Sequence, residues 1–431
     1  MDKKEKFIIT GLAGQRKLTG KLRVKGAKNA VLKVLSSAPL FLNDIKLNNV
    51  PEIGDVDCLE KIISRCGIEF IRNKRGQRTV KVGKRVGSEI DVDLAQKMRA
   101  SIVLTGPLLA RTGRVVFPFP GGCVIGKRPI DFFLDGFSRL GAKIKKRGEV
   151  FDLIAPPNGL RGASLFLKYP SVTNTETLMM AAVLADGQTI IKNCALEPET
   201  ISLGEFLIDS GARISGLGTA TIVINGSKKL LRSKKIYQTP PDRIEAGSFL
   251  ILAALVGKDI KIESCRSEEL TALLEILQEA GLKIDIEKNS LRVSGQQSKF
   301  KAINIKTHEY PGFPTDLQAP LAVFLTQCHG QSMIFETIFE NRLGYLETLH
   351  RMEAEVKILD AHRAMIFGPN KLKAQEVESP DLRAGLAYVL AGIIAKGKTI
   401  VHNVHYIDRG YEDIDNRLKE IGVKIERIED L

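Results

Sequence analysis

The 431-residue sequence has no tryptophan, and aromatic residues make up only 6% of it, so its core must be built mainly from Leu, Ile, Val and Ala. It has no stretch of about 18 uncharged apolar residues, the length that a membrane-spanning helix requires. The richest run, Leu386–Ala395, is far shorter. Six cysteines (Cys58, Cys66, Cys123, Cys194, Cys265 and Cys328) are scattered without a Cys-x-x-Cys pair. This spacing excludes a zinc ribbon and a disulfide framework, and the expectation is reduced thiols in a cytosol. The six histidines are also dispersed; His402 and His405 form the only close pair, and without further ligands no metal site is expected. The first six residues run straight into Phe7-Ile8-Ile9-Thr10, without the apolar core of a signal peptide, so the expected location is the cytoplasm.

Acidic residues are in shorter supply than basic ones, 50 against 64, leaving a net charge of +14. Such an excess suits an anionic partner, either nucleic acid or a polyanionic small molecule. The basic residues form no stripe interleaved with aromatics, which argues against nucleic acid. A hydrophobic content of 44% over this length predicts a globular protein of two domains, each of roughly 200 residues.

What the sequence does contain is a repeat. Leu184-Ala-Asp-Gly-Gln-Thr-Ile-Ile-Lys-Asn193 returns as Ile394-Ala-Lys-Gly-Lys-Thr-Ile-Val-His-Asn403, with looser copies starting near 40, 109, 255 and 325. The period is about 70 residues. In each copy an apolar helix ends at a turn and a short β-branched strand follows. A second, amphipathic helix then closes on a glycine and a strand, as at Leu277-Gln-Glu-Ala-Gly-Leu-Lys-Ile284. Six copies predict an α/β fold with three copies per domain. The double proline in Gln238-Thr-Pro-Pro-Asp242 marks a domain junction. Because residues 6 to about 21 precede the first copy, they are assigned to the second half. The expected domains are therefore 22–239, and 1–21 with 240–431.

Four segments carry more chemistry than folding needs. Gly26-Ala-Lys28-Asn29-Ala30 presents a lysine at a helix start, suited to an anion or simply a capped start with a solvated lysine. Phe119-Pro-Gly-Gly-Cys123-Val-Ile-Gly-Lys-Arg128-Pro129-Ile-Asp131 sets a thiol among glycines with Lys127 and Arg128 close behind, an electropositive setting that favours the thiolate. The other five cysteines lie in apolar helix or strand patterns, where an inert thiol is expected. Tyr310-Pro-Gly-Phe-Pro-Thr-Asp316 ends a rigid turn in an aspartate that either caps the next helix or acts as a positioned base. Finally, Arg99, Arg342, Arg383 and Arg409 sit in short, otherwise small or apolar contexts and suit bidentate contact with phosphate or carboxylate. Asp381 and Asp408 stand ready as partners if Arg383 and Arg409 are structural.

At these residues the chain resembles the enolpyruvyl transferases, in particular those that act on UDP-N-acetylglucosamine. The motifs are Gly26-Ala-Lys-Asn-Ala, Met98-Arg-Ala-Ser, Pro120–Asp131, Glu197-Pro-Glu199, Pro241-Asp-Arg-Ile-Glu245, Phe313–Gln318, Phe339-Glu-Asn-Arg342, Asp381-Leu-Arg383 and Asp408-Arg-Gly-Tyr-Glu412, in order along nearly the whole chain. The resemblance implies two inside-out α/β barrel domains of three units each, closing on substrates held in a cleft. It implies phosphoenolpyruvate and UDP-N-acetylglucosamine as substrates, no metal, no cofactor, no nucleic acid or membrane partner, and a monomer or weak homo-oligomer. Lys28, Arg128 and Arg409, with Arg383 nearby, would hold phosphoenolpyruvate. Asp316 would act on the sugar 3-hydroxyl, and Cys123 would be the loop thiol that fosfomycin alkylates. Asn29, Arg99, Ile338 and Arg342 would lie close by, while Arg128, Pro129, Ile130, Asp131, Ser171 and Val172 would line the nucleotide. Other acceptors on the same fold are a different UDP-sugar or shikimate 3-phosphate, and a basic nucleic-acid-binding repeat protein is the remote alternative. The chain departs from the family at Lys33, which stands where Pro is typical, at Thr173-Asn174 in place of Gly-Ala, and at Leu343-Gly344-Tyr345.

Overall fold

The computed structural model describes residues 5–121, 129–295, 297 and 299–429. These fall into two compact units. An inserted unit comprises 26–121 and 129–240, and a flanking unit comprises 5–25 and 241–429. The flanking unit reaches past residue 21, where the sequence reading ended its first segment. The reason is that Leu18–Arg23 pairs along its whole length with Gly257–Glu263.

Among the described residues there are six small sheets, three in each unit; five repeat one four-stranded pattern, and the sixth, Arg114–Pro118, Val150–Ile154 and Lys143–Arg147, has three strands. In one, Ser164–Phe166 runs parallel to Gln188–Lys192, which pairs antiparallel with Thr221–Asn225, itself antiparallel to Ile214–Ser215. Leu18–Arg23, Gly257–Glu263, Ser290–Ser294 and Asp285–Glu287 repeat that order, as do Ile305–Lys306, Gly330–Phe335, Arg363–Gly368 and Glu355–Ile358. Two copies are completed from afar. Tyr237–Gln238 leads the sheet of Ile45–Asn48, and Glu5–Thr10 fills the place between Lys398–His402 and Lys424–Glu429. The N-terminal strand thus belongs to the flanking unit. Among the described residues none of the six sheets closes on itself, and the architecture is mixed α/β.

The first helix of each copy is the core. Gln318–Leu325 is buried at every position and Arg243–Val256 at all but its first residue, because such helices are apolar on every face rather than along one stripe. In the flanking unit Gln318–Leu325 packs against both Arg243–Val256 and Leu382–Ile394. In the inserted unit Thr105–Thr112 packs against Val172–Val183.

The second helix of each copy is followed by a residue in the left-handed region. It is Gly67, Gly141, Gly211, Gly281 or Gly422 in five copies, with φ of +83° to +109°, and Glu353 (φ +70°) in the other. Glycine takes this conformation without the Cβ clash that a side chain incurs, and it ends the helix where the strand must begin.

Not every arginine in this basic chain faces water. Arg78 is 1% exposed; its Nε donates to Glu60 at 2.7 Å and its two Nη atoms to the oxygens of Glu52 at 2.9 and 2.6 Å. It ties the strand Arg78–Val82 to the helix Gly54–Arg65. Removing one partner of a buried pair strands the other charge. Arg78→Ala is therefore expected to lower the unfolding free energy by about 3 kcal/mol in urea titration. A change under about 0.5 kcal/mol, typical of an exposed site, would contradict this role.

Candidate active site

In the flanking unit the chemistry gathers on Asp316. Residues Thr315–Leu317 form a 3₁₀ turn ahead of the helix Gln318–Leu325, and neither element has a side-chain cap. The carboxylate instead accepts from two guanidiniums, Arg342 Nη2 at 2.9 Å and Arg383 Nη2 at 3.1 Å. Arg383 begins the helix Leu382–Ile394 and also donates to the Tyr411 hydroxyl at 2.8 Å, which lies 3.1 Å from Ser248 Oγ. Burial disfavours the Arg383 cation, but Tyr411, Asp316 and Asp242 outweigh it and hold the guanidinium above its ordinary range. Burial likewise pushes the Tyr411 hydroxyl up, against the pull of Arg383. Arg342 lies over the Phe339 ring, and its buried Nη1 has no hydrogen-bond partner among the described residues. Two buried arginines converging on one carboxylate, one with a donor to spare, is an arrangement ready to take an anion.

A second carboxylate shapes the same corner. Glu336, fully buried, accepts the Thr315 hydroxyl at 2.8 Å through one oxygen, and the N–H groups of Ile338 and Phe339 at 2.8 and 3.1 Å through the other. It thereby joins the Asp316 turn to the segment that carries Ile338 and Arg342.

In the inserted unit Lys28 opens the helix Lys28–Ser36, which has no side-chain cap. Its ammonium is 2.7 Å from Asp55 in a largely buried pair, so it is not a solvated surface lysine. Gly26 is required here because a Cβ would overlap the carbonyl oxygen of Asn49. Arg99 donates to the carbonyl of Pro120 at 3.4 Å and of Pro129 at 3.3 Å, and lies over the Phe119 ring. It therefore fixes the backbone on either side of the cysteine segment. Cys123 and Arg128 themselves lie outside the described residues. Ile130 is buried where the helix Asp131–Arg139 begins, and Ser171 caps the helix Val172–Val183 through the N–H of Asn174.

Residues 12–418 match the family model described as EPSP synthase (3-phosphoshikimate 1-carboxyvinyltransferase). The chain belongs to this family of enolpyruvyl transferases. It is 42% identical over 428 residues to UDP-N-acetylglucosamine 1-carboxyvinyltransferase 2 of Carboxydothermus hydrogenoformans, covering 99% of this chain and 100% of that one. Identity is 41% over 424 residues to UDP-N-acetylglucosamine 1-carboxyvinyltransferase 1 of Caldanaerobacter subterraneus subsp. tengcongensis, covering 98% and 100%. Among solved structures, the enolpyruvyl transferase NikO from Streptomyces tendae superposes with a TM-score of 0.89 at 21% identity, covering 100% of both chains. EPSP synthase from Acinetobacter baumannii gives 0.74 at 19% identity, over 99% of this chain and 100% of that one.

Within this enolpyruvyl transferase chain, the two aspartates that stood ready as arginine partners make other contacts. Asp408 is not the partner kept for Arg409, since it binds Arg427 at 2.9 and 2.7 Å. Asp381 bonds Arg383 only through the backbone N–H, at 2.7 Å, as a helix cap. Arg409 itself follows the short helix His405–Asp408 and is half-buried. Sequence reasoning also passed over Glu336 and Tyr411 as site residues. The only signal for Glu336 was an acidic residue directly after the apolar end, Met333-Ile334-Phe335, of the strand Gly330–Phe335. Among the described residues no acidic, His or Cys cluster could hold a metal, and no helix is long and apolar enough to cross a membrane.

Proposed function

We propose that this chain transfers the enolpyruvyl group of phosphoenolpyruvate to the 3-hydroxyl of UDP-N-acetylglucosamine and releases phosphate, the first committed step of peptidoglycan synthesis. Two full-length relatives bearing that activity in their names, at 41–42% identity, support the reading. The observation that carries it is the carboxylate of Asp316 held between Arg342 and Arg383.

The chemistry brings two anions together, so much of the barrier is positional. Protonation of the methylene carbon of phosphoenolpyruvate leaves cationic character on the adjacent carbon. The sugar 3-hydroxyl attacks there as its proton passes to Asp316, giving a tetrahedral ketal. Loss of a proton from the new methyl group and departure of phosphate restore the vinyl group. Asp316 accepts from two guanidiniums. An anionic substrate that draws one of them away frees a carboxylate oxygen for the hydroxyl proton. Lys28, Arg128, Arg383 and Arg409 hold the phosphate and carboxylate of phosphoenolpyruvate, with Asn29, Arg99, Ile338 and Arg342 nearby. Arg128, Pro129, Ile130, Asp131, Ser171 and Val172 face the nucleotide, and Cys123 serves as the loop thiol. Fixed charge of this kind acts most strongly where water is excluded. On the same reading each unit is an inside-out α/β barrel of three repeats, and the enzyme works in the cytoplasm as a monomer or weak homo-oligomer.

Phosphate release from phosphoenolpyruvate decides the matter. It is expected with UDP-N-acetylglucosamine and absent with shikimate 3-phosphate. Release with shikimate 3-phosphate or with another UDP-sugar alone would replace the acceptor.

A further inference from the structure

We infer that Glu176 is a positioning residue for this transfer, tying the helix start that carries Lys28 and Asn29 to the two other motif-bearing segments of the inserted unit. The role assigned to Lys28 and Asn29 rests on the function proposed above, whereas the tie itself is a matter of geometry.

Glu176 is fully buried in the helix Val172–Val183. One of its oxygens lies 2.9 Å from Lys33 Nζ and the other accepts the Thr200 hydroxyl at 3.3 Å. Lys33 Nζ also donates to the backbone carbonyl of Asn29 at 3.2 Å. A single carboxylate therefore reaches the helix of Lys28 and Asn29, its own helix capped by Ser171, and the helix Pro198–Asp209 that follows Glu197. Beside it, Thr175 accepts the N–H of Ala195 at 3.1 Å and closes the same corner. The tie matters because the helix Lys28–Ser36 is nine residues long and has no side-chain cap, so little else in its own sequence holds its first turn.

The tie also responds to pH. Burial pushes the Glu176 carboxyl up to about 7; Lys33 pulls it back, and Glu199 and Glu197 push it further up. The ionised form, which holds Lys33, prevails above that value. As pH falls through about 7 the carboxyl takes up a proton and the hold on Lys33 weakens.

Glu176→Gln mimics the protonated state, so the test compares its kcat/KM for phosphoenolpyruvate with that of the wild type from pH 6 to 8. The ratio of wild type to variant is expected to be about 10 at pH 8 and to fall toward 1 at pH 6, with the change carried mostly by KM. Taking a ratio cancels the ionisation of the substrate. A ratio near 1 at pH 8, or one constant across the range, overturns the proposal. The double variant Lys33→Met with Glu176→Met removes both charges while keeping the volume, and is expected to fold as stably as the wild type. Wild-type kcat/KM in this variant at pH 8 would also overturn the proposal. Hydrogen exchange of the peptide spanning residues 26–36 gives a readout independent of turnover. Faster exchange is expected in Glu176→Gln at pH 8, and unchanged exchange overturns the tie. Altered exchange in a protein that releases no phosphate would condemn the proposed reaction instead.

Discussion

Asp316→Asn is expected to bind UDP-N-acetylglucosamine with near wild-type affinity while kcat falls by about 100-fold or more. The substitution keeps the shape but removes the charge that would receive the sugar proton, and its single amide oxygen can accept from only one of Arg342 and Arg383, which use different oxygens of the aspartate. Two guanidiniums facing a neutral amide form a less satisfied cluster, so thermal unfolding is a necessary control. A lost transition would mean that the aspartate serves folding first. Near-normal turnover in a folded variant would leave Asp316 as an ion-pair partner only. Asp316→Glu, which keeps the charge and displaces it, is expected to fall between the two. A simple charge-pairing role would instead let glutamate substitute fully.

Incubation with fosfomycin is expected to place a single adduct on Cys123, at a rate that rises when UDP-N-acetylglucosamine is present. The competing thiols are disabled by their surroundings. Burial pushes Cys66, Cys194 and Cys265 up to about 11 and Cys328 up to about 12. At pH 7 a thiol of pKa about 11 is ionised in about one molecule in ten thousand, and the thiolate is the nucleophile. Cys58 is only half-buried and is the internal control for mere accessibility. Intact mass should show one adduct, and peptide mapping should place it between Pro120 and Pro129, the two carbonyls that Arg99 holds. Adducts on Cys58, or none on Cys123 with the nucleotide sugar present, would sink the assignment. Cys123→Asp is expected to retain part of the activity and to lose the labelling, because a carboxylic acid can still donate a proton but resists the epoxide.

The fold was legible to the extent that its information is local. Apolar helix, turn, β-branched strand and helix-ending glycine recur at a readable period, so six copies and an α/β class followed from the sequence alone. What escaped depended on partners far away in the chain. Nothing in Tyr237-Gln238 announces that it pairs with Leu47 and Asn48, and Leu22-Arg23 looked like a junction until Ile262 and Glu263 appeared opposite. The helix-end pattern hid one copy, because Glu353 takes the left-handed conformation that glycine takes at the other five helix ends. The candidate site divides along the same line. Arg342, Arg383 and Asp316 stood out as charges in apolar surroundings, and they do meet. Their neighbours Asp381 and Asp408 looked like natural partners by proximity in sequence, yet a helix N-terminus and Arg427 claim them. Glu336 and Glu176 are buried carboxylates whose meaning lies wholly in what surrounds them. Lys33 was visible as a departure from the family, but its purpose was not, until Glu176 was found beside it.

The strand Glu5–Thr10 sits between two strands from the other end of the chain, Lys398–His402 and Lys424–Glu429. On the ribosome it is made well ahead of both of its partners. At about 5–20 residues per second, it waits on the order of 20–80 s with Phe7 and Ile9 unburied. During that interval residues 26–240 are complete and have every partner they need, so the inserted unit is free to fold while synthesis continues. The unit bearing Asp316 can finish its last sheet only once Lys424–Glu429 has emerged. The order of synthesis thus gives this enzyme a built-in schedule, in which the unit bearing the arginine-flanked carboxylate is completed after the inserted one.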